Sequence, residues 1–125
     1  MKVFTLSEAN RLLPTARRIL EEIKANYAEV SAYREQARKA AEAGQTGGGG
    51  MQSGTIYVNA LCELGKLNIE IDNMGIQLKD YSRGLIDFPS MRDGKVVLLC
   101  WQLGEGDEIL WWHEIEAGFA GRKRI

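Results

Sequence analysis

The sequence is poor in the residues that build metal centres and membrane spans. It has one histidine and two cysteines, and no apolar run approaches the ~20 residues that cross a bilayer. Cys62 and Cys100 lie in apolar surroundings without CxxC spacing, so we interpret them as reduced core residues rather than a disulfide or a zinc site. The first residues, MKVFTLSEAN, lack the apolar core of a signal peptide. We therefore expect a cytoplasmic protein.

The sequence also lacks an excess of charge of either sign. The formal net charge is -1, which gives no overall field that attracts nucleic acid or an anionic membrane, and we expect neither partner. What is present is an ordinary globular composition, with 45% hydrophobic and 26% charged residues. A length of 125 residues predicts a single domain over 1–125.

The stretch FTLSEANRLLP predicts a helix start. Thr5 and Glu8 have the spacing of a capping box, so the helix should begin at Leu6. Pro14 removes one backbone donor, and either a short first helix ends near Leu13 or a longer one is kinked there. From Thr15 onward apolar or small residues recur at steps of three or four. This pattern predicts a helical arm over residues 5–43 with a kink near Pro14.

A glycine-rich segment separates this arm from a second helix. Residues 44–54, GQTGGGGMQSG, have the composition of a flexible linker, and they lack the Lys and Ser/Thr that a phosphate loop requires. The second helix is predicted over 55–74, ended by Gly75, and should pack on the first as an antiparallel hairpin in coiled-coil fashion. It has a second apolar stripe that one partner helix cannot cover: Val58, Cys62, Gly65 and Ile69.

Residues 76–116 change to strand patterns separated by turn residues, which predicts an antiparallel meander of three to four strands. The predicted fold class is therefore α+β, with a C-terminal tail over 117–125. The run Val96–Leu103 is apolar at almost every position and should be buried on both faces, whereas one helical hairpin covers one face. We therefore expect a homodimer through the sheet face and helix 55–74, and a further protein partner is also conceivable. Phe119 suggests that the tail docks rather than frays.

The register of the last two strands decides which polar side chains meet. If Trp101 lies opposite Trp111, one face holds His113 and Asp87 together with Val97, Leu99, Trp101, Trp111 and Ile115, while Glu114 points the other way. A slip of one residue undoes this assignment. By position along the strands, one end of the sheet should gather Asp87, Arg92, Asp93, His113, Glu114 and the final segment. The other should gather Asp80, Arg83 and Glu105.

Three residues are candidates for catalysis: His113, Asp87 and Glu114. A histidine that acts as a base or metal ligand needs a carboxylate to orient it, and Asp87 is suited to that task. The alternative is a partly buried strand histidine bonded to a carboxylate or carbonyl. Asp87 interrupts an apolar run, and a structural ion pair with Arg83 or Arg92 is equally consistent. We predict no cofactor, with a divalent metal at His113 and Asp87 as the alternative.

Three arginines are candidates for ligand binding: Arg83, Arg92 and Arg122. The terminal basic residues 122–124 are typical of a solvated chain end, although they have the charge to hold a phosphate or carboxylate. The tryptophans are more typical of a core or dimer contact than of a stacking surface for bases, because the chain has no excess of positive charge.

Five stretches carry a resemblance to a known family: FTLSEANRLLP, RGLIDFP, RDG, LCWQLGE and WWHEIEAGFAGR. Together they resemble the bacterial family catalogued as domain of unknown function 2203, some of whose members are labelled division-initiation-like. The resemblance spans the chain and is strongest from Arg83 to Arg122. It implies family membership and no mechanism. Its signature falls on Arg83, Asp87, Arg92, Glu105, His113, Glu114, Gly118 and Arg122.

Three functions compete on this evidence. We expect a non-catalytic, homo-oligomeric interaction or scaffold module, since the architectural patterns are stronger than the chemical ones. The alternative is a small-ligand- or metal-binding enzyme with a polar site at one end of the sheet, formed by His113, Asp87, Arg92 and Arg122. Nucleic-acid binding through the basic tail is the third and weakest hypothesis.

Overall fold

The computed structural model describes residues 1–44 and 50–125. Two helices come first, α1 (Leu6–Glu42) and α2 (Gly50–Asn73). A single antiparallel sheet follows, in the order β1 (Gln77–Asp80), β2 (Leu85–Arg92), β3 (Lys95–Gln102), β4 (Trp111–His113) and β5 (Lys123–Arg124). The predicted α+β class, a helical hairpin ahead of an antiparallel meander, is confirmed. The sheet has five strands rather than the predicted three to four.

Helix α1 begins where the capping box predicts. The Thr5 hydroxyl accepts a hydrogen bond from the Glu8 N–H, and the Glu8 carboxylate accepts one from the Thr5 N–H at 2.8 Å. Pro14 lies inside the helix, so the alternative of a short helix ending near Leu13 is wrong. Leu13 and Ala16 on either side of it are buried, and this packing offsets the one hydrogen bond that proline removes.

Helix α2 begins at Gly50, five residues before the predicted start at 55. Glycine is only about 1 kcal/mol less favourable than alanine in a helix, which is too little to stop one that tertiary contacts support. Residues 45–49 of the predicted linker lie outside the described residues. The rings of Tyr33 and Tyr57 stack 4.4 Å apart between the two helices. In the described chain, neither helix is long and apolar enough to span a membrane.

The helices cover one face of the sheet. The core there joins the first half of α1 and the end of α2 to the inward side chains of the strands, among them Ile86, Phe88, Val97, Leu99, Trp101 and Trp112. Trp101 is 1% exposed, and the Arg17 guanidinium lies 5.5 Å from its ring. This face therefore holds the apolar residues of β3 that the pattern placed together, but not His113 or Asp87.

The strand register corrects the predicted faces. A two-residue turn, Asp93–Gly94, with positive φ at both residues, joins β2 to β3 and pairs Asp87 with Cys100. Strand β4 pairs Cys100 with Trp111, so Trp101 is not opposite Trp111. The connection after β3 is longer than the predicted four-residue turn, because β4 begins only at Trp111. The pairing of β3 with β4 is therefore one residue away from the predicted register. Because side chains alternate along a strand, this difference moves Trp111 and His113 to the other face of β3.

The second face of the sheet is covered by the chain itself. Residues Phe119–Gly121 form a 3-10 turn and β5 pairs with β4, so the predicted tail over 117–125 is part of the fold. Leu85, Asp87, Leu98, Cys100 and His113 on this face are all at most 7% exposed. The premise that a second copy must shield this face is therefore wrong, and a homodimer needs a different argument.

Candidate functional site

Three neighbouring strands bring Asp87, Cys100 and His113 together on the second face. Asp87 in β2 pairs directly with Cys100 in β3, and His113 in β4 pairs with Leu98, two residues along β3 on the same face. The three side chains are among the least accessible polar groups, with 2%, 1% and 2% exposure respectively. Their ligand atoms all lie within 4.8 Å of one another.

The hydrogen bonds of His113 define where its protons are. Its Nδ1 lies 2.7 Å from the backbone oxygen of Glu114, which can only accept, so Nδ1 carries a proton. Its Nε2 lies 3.1 and 3.2 Å from the two carboxylate oxygens of Asp87. Nε2 and the carboxylate therefore either share one proton, carried by the imidazole or by the carboxyl group, or both face a cation that they share.

Asp87 finds its partner in His113 and not in Arg83 or Arg92, so the predicted arginine ion pair is wrong. The prediction that Asp87 and His113 share a face is confirmed by their contact. No other strand neighbour supplies a full charge to this carboxylate at salt-bridge distance within the described chain. The pair is thus a buried acid–imidazole contact, which is costly unless a proton or a metal ion balances the negative charge.

Cys100 is the third donor, and its environment keeps the thiol neutral. Burial, and after it the neighbouring Asp87 carboxylate, raise the pKa of Cys100 to about 12. The Arg122 guanidinium, with Nη1 3.9 Å from the sulfur, acts in the opposite direction but does not prevail. A thiol of this kind is a poor nucleophile at neutral pH. Both nitrogens of His113 contact oxygens, which leaves neither free to act as its base.

The donor set fits a transition-metal ion. Zinc takes thiolate, imidazole and carboxylate ligands at ~2.0–2.3 Å, which puts the ligand atoms roughly 3.3–3.6 Å apart. The Nε2-to-carboxylate distances of 3.1 and 3.2 Å are close to this separation. Metal-binding histidines also characteristically donate their other N–H to a carbonyl or carboxylate, as Nδ1 does to Glu114. Three protein ligands leave a fourth position of a tetrahedral ion open.

A cavity of about 180 Å³ adjoins the three donors. Its walls are Lys79, Leu85, Leu98, Ile115, Gly118 and Phe119, in addition to Asp87, Cys100 and His113. Apart from the three donors and the lysine, the lining is therefore apolar. Ile115 is 57% exposed, which places the opening on the side of the C-terminal segment.

Two arginines hold that segment over the cavity. The Phe119 ring lies between the guanidinium groups of Arg83 and Arg122, each 4.1 Å from its centroid. Arg122 also pairs with Glu105 at 2.8 Å, whereas the predicted grouping of charges put Glu105 at the opposite end of the sheet from the final segment. Arg83 and Arg122 therefore meet on an aromatic ring at the edge of the cavity.

The other predicted site residues lie elsewhere. The Glu114 carboxylate pairs with Lys95 at 2.7 Å on the surface, and this contact lowers the pKa of Glu114; only its backbone oxygen reaches the cluster. Arg92 stacks on the Trp112 ring at 4.4 Å and lines a groove beside the N-terminal segment. Neither side chain contacts Asp87 or His113.

Sequence reasoning missed Cys100 and Lys79. The signal for Cys100 was available, because an Asp-Gly pair between two strands predicts a two-residue turn. Such a turn at Asp93–Gly94 pairs Asp87 with Cys100. Lys79 had no such signal, since its position follows from an irregular register between β1 and β2.

Comparison with curated proteins and with solved structures gave no match. The family comparison did: residues 2–125, essentially the whole chain, match the family model DUF2203, described as an uncharacterized conserved protein. The residues that form the cluster and its cover, Asp87, His113, Arg83 and Arg122, lie in the stretches that carried the resemblance. The chain belongs to the DUF2203 family.

Proposed function

We propose that this protein binds a divalent transition-metal ion of the zinc type through Asp87, Cys100 and His113. One observation carries the proposal. The backbone oxygen of Glu114 holds the proton of His113 on Nδ1, which turns Nε2 toward the Asp87 carboxylate beside a buried thiol. A nitrogen, an oxygen and a sulfur donor thus converge where only a cation or an extra proton can satisfy them.

Charge balance supports a divalent ion. Binding displaces the thiol proton, so the site contributes one negative charge from Cys100, one from Asp87 and none from a neutral His113. A divalent ion makes the buried group neutral, which avoids the cost of burying a net charge. The mixture of sulfur, nitrogen and oxygen ligands favours zinc or cobalt over magnesium or calcium, which prefer oxygen alone.

The test is cobalt binding, since Co²⁺ takes zinc ligand sets and absorbs light where zinc does not. Chelator-treated protein is titrated with Co²⁺, and we expect a thiolate-to-metal charge-transfer band with a stoichiometry of one ion per chain. Zn²⁺ should displace the cobalt and abolish the band. Isothermal titration with Zn²⁺ gives the affinity, and zinc at 100 times its Kd should stabilise the fold by about 2.7 kcal/mol.

The two cysteines provide matched variants. Cys100→Ser should lose the charge-transfer band, whereas Cys62→Ser, which alters the exposed thiol, should retain it. His113→Gln and Asp87→Asn should each weaken zinc binding while circular dichroism reports that the chain remains folded. Folded wild-type protein that gives no charge-transfer band would overturn the proposal and leave the His113–Asp87 contact as a proton-bridged ion pair.

A second candidate function, self-association through α2, is supported by its outward stripe. Val58 and Ile69 are 54% and 61% exposed, and nothing lies within 4 Å of a side chain added at Gly65. The steps from Val58 to Cys62, Gly65 and Ile69 are four, three and four, which read the same in both directions. Two antiparallel copies related by a two-fold axis would pack Val58 of one against Ile69 of the other.

Light scattering tests this candidate. A dimer that Val58→Lys converts to a monomer would support it, with Val3→Lys, at an exposed valine outside α2, as the control. A wild-type monomer at all concentrations up to the solubility limit would reject self-association. This outcome has no bearing on metal binding.

A further inference from the structure

The cavity beside the three donors is lined by apolar side chains and one lysine in addition to the donors. Asp87, Cys100 and His113 line it together with the buried side chains of Leu85 and Leu98. The half-buried Phe119 and the exposed Ile115 complete the apolar lining. An occupant would therefore meet both the metal position and hydrocarbon.

Lys79 is the single Lys or Arg among the residues that line this cavity, and it is an exposed residue. It lies where the pairing of β1 with β2 is irregular, between Leu78, opposite Ile86, and Asp80, opposite Leu85. The irregularity leaves Lys79 unpaired in the ladder, and bulges of this kind re-aim a side chain next to a site. No salt-bridge partner holds its ammonium group among the described residues.

We propose that the cavity binds a short-chain monocarboxylate, whose carboxylate takes the open metal position and whose aliphatic end packs against Leu85, Leu98 and Phe119. This inference rests on the proposed metal site. Cys100 and Asp87 balance the charge of a divalent ion, and the exposed Lys79 supplies a positive charge beside the cavity. A monoanion suits both the open metal position and this neighbouring cation, whereas a neutral molecule gains nothing from Lys79.

Size limits the length of the ligand. At ~30 Å³ for each water-sized group, a cavity of about 180 Å³ holds a molecule of about six non-hydrogen atoms. This space suits acids of two to four carbons. Nucleotides are larger than this cavity. A longer aliphatic chain would have to pass Phe119, which Arg83 and Arg122 hold from both sides.

The experiment uses the cobalt-loaded, full-length protein in a non-coordinating buffer. Propionate is titrated while the visible ligand-field bands of Co²⁺ are recorded, and we expect a saturable shift at one propionate per ion. Propionamide, which has the same shape without the charge, should leave the spectrum unchanged. Decanoate should bind at least tenfold more weakly than propionate, because its chain does not fit behind Phe119.

Lys79→Met tests the charge. Cobalt should bind with wild-type affinity, whereas the propionate affinity should fall on the order of tenfold, the effect of one nearby charge in a partly solvated site. Lys66→Met removes an exposed lysine of α2 that does not line the cavity and should change neither affinity. Phe119→Ala should admit hexanoate more readily relative to propionate.

The outcomes separate the two proposals. If the charge-transfer band forms but propionate does not shift the ligand-field bands, the monocarboxylate inference is overturned and the metal site stands. Propionate binding that is equal in Lys79→Met overturns the charge argument and with it the inference. Absence of the charge-transfer band itself overturns both.

Discussion

Arg122 and Glu105 form an ion pair that joins the C-terminal segment to the loop after β3. Nη1 of Arg122 lies 2.8 Å from Oε2 of Glu105, and the two side chains are only 12% and 17% exposed. The same guanidinium packs on Phe119 and approaches the Cys100 sulfur. A single arginine therefore ties the cover of the second face to the strand beneath it.

Arg122→Gln should loosen this cover. We expect a loss of about 1.5–3 kcal/mol of unfolding free energy, the usual range for a hydrogen bond to a charged group. In a Cys62→Ser background, Cys100 should react faster with a thiol reagent under native conditions. Adding Glu105→Gln should cost little more, since the pair is already broken. If Cys100 reacts at the same rate in Arg122→Gln as in the Cys62→Ser parent, Arg122 does not hold the C-terminal segment over the second face.

His113 and Asp87 should behave as one unit in stability measurements. With chelator present, His113→Phe should cost about 3–5 kcal/mol, because it leaves the Asp87 carboxylate buried without a partner. The double variant Asp87→Leu/His113→Phe removes both groups and should recover at least about 1 kcal/mol relative to the sum of the single variants. Urea unfolding measures all three. Strictly additive losses would show that the two side chains do not depend on each other.

Two glycines with positive φ differ in what surrounds them. At Gly84, φ is 62° and an added Cβ would lie 2.5 Å from Cδ1 of Leu103; at Gly94, φ is 81° and nothing lies within 4 Å. Gly94→Ala should cost about 1 kcal/mol from backbone strain alone, and Gly84→Ala should cost more, about 2–4 kcal/mol, because Leu103 must also move. Thermal unfolding of both variants provides the comparison, and equal losses would refute the steric contribution.

The turn between β1 and β2 should respond to acid. The Arg83 backbone N–H and then the Ser82 hydroxyl donate to the Asp80 carboxylate and hold the pKa of Asp80 below its usual value. A depressed folded-state pKa gives stability that is complete above the unfolded value of ~3.9 and is lost as pH falls through the folded value. Asp80→Asn should therefore be less stable than wild type at pH 7, with the difference shrinking below about pH 4. Urea unfolding at several pH values measures it, and a difference that is independent of pH would contradict this assignment.

The predictions that depended on residues close together in the sequence were the accurate ones. The start of α1 at Leu6 follows from Thr5 and Glu8, and the end of α2 near Gly75 follows from the left-handed conformation that glycine adopts there. The candidate pair His113 and Asp87 was also chosen correctly as a contact. Their shared face survived the wrong register because both residues lie on the face of β3 opposite to the predicted one, so that the two errors cancelled.

The sequence by itself determined the features that interactions over a few residues control. These are the helix termini, the apolar strands and the turn residues between them. Only the tertiary structure decided the register of β4, the addition of β5, and hence the meeting of Cys100, Lys79 and Phe119 around one cavity. The physical reason is the two-residue period of a strand. A loop whose length changes by one residue exchanges the buried and exposed faces without altering any local preference, and packing of the whole chain selects between the two.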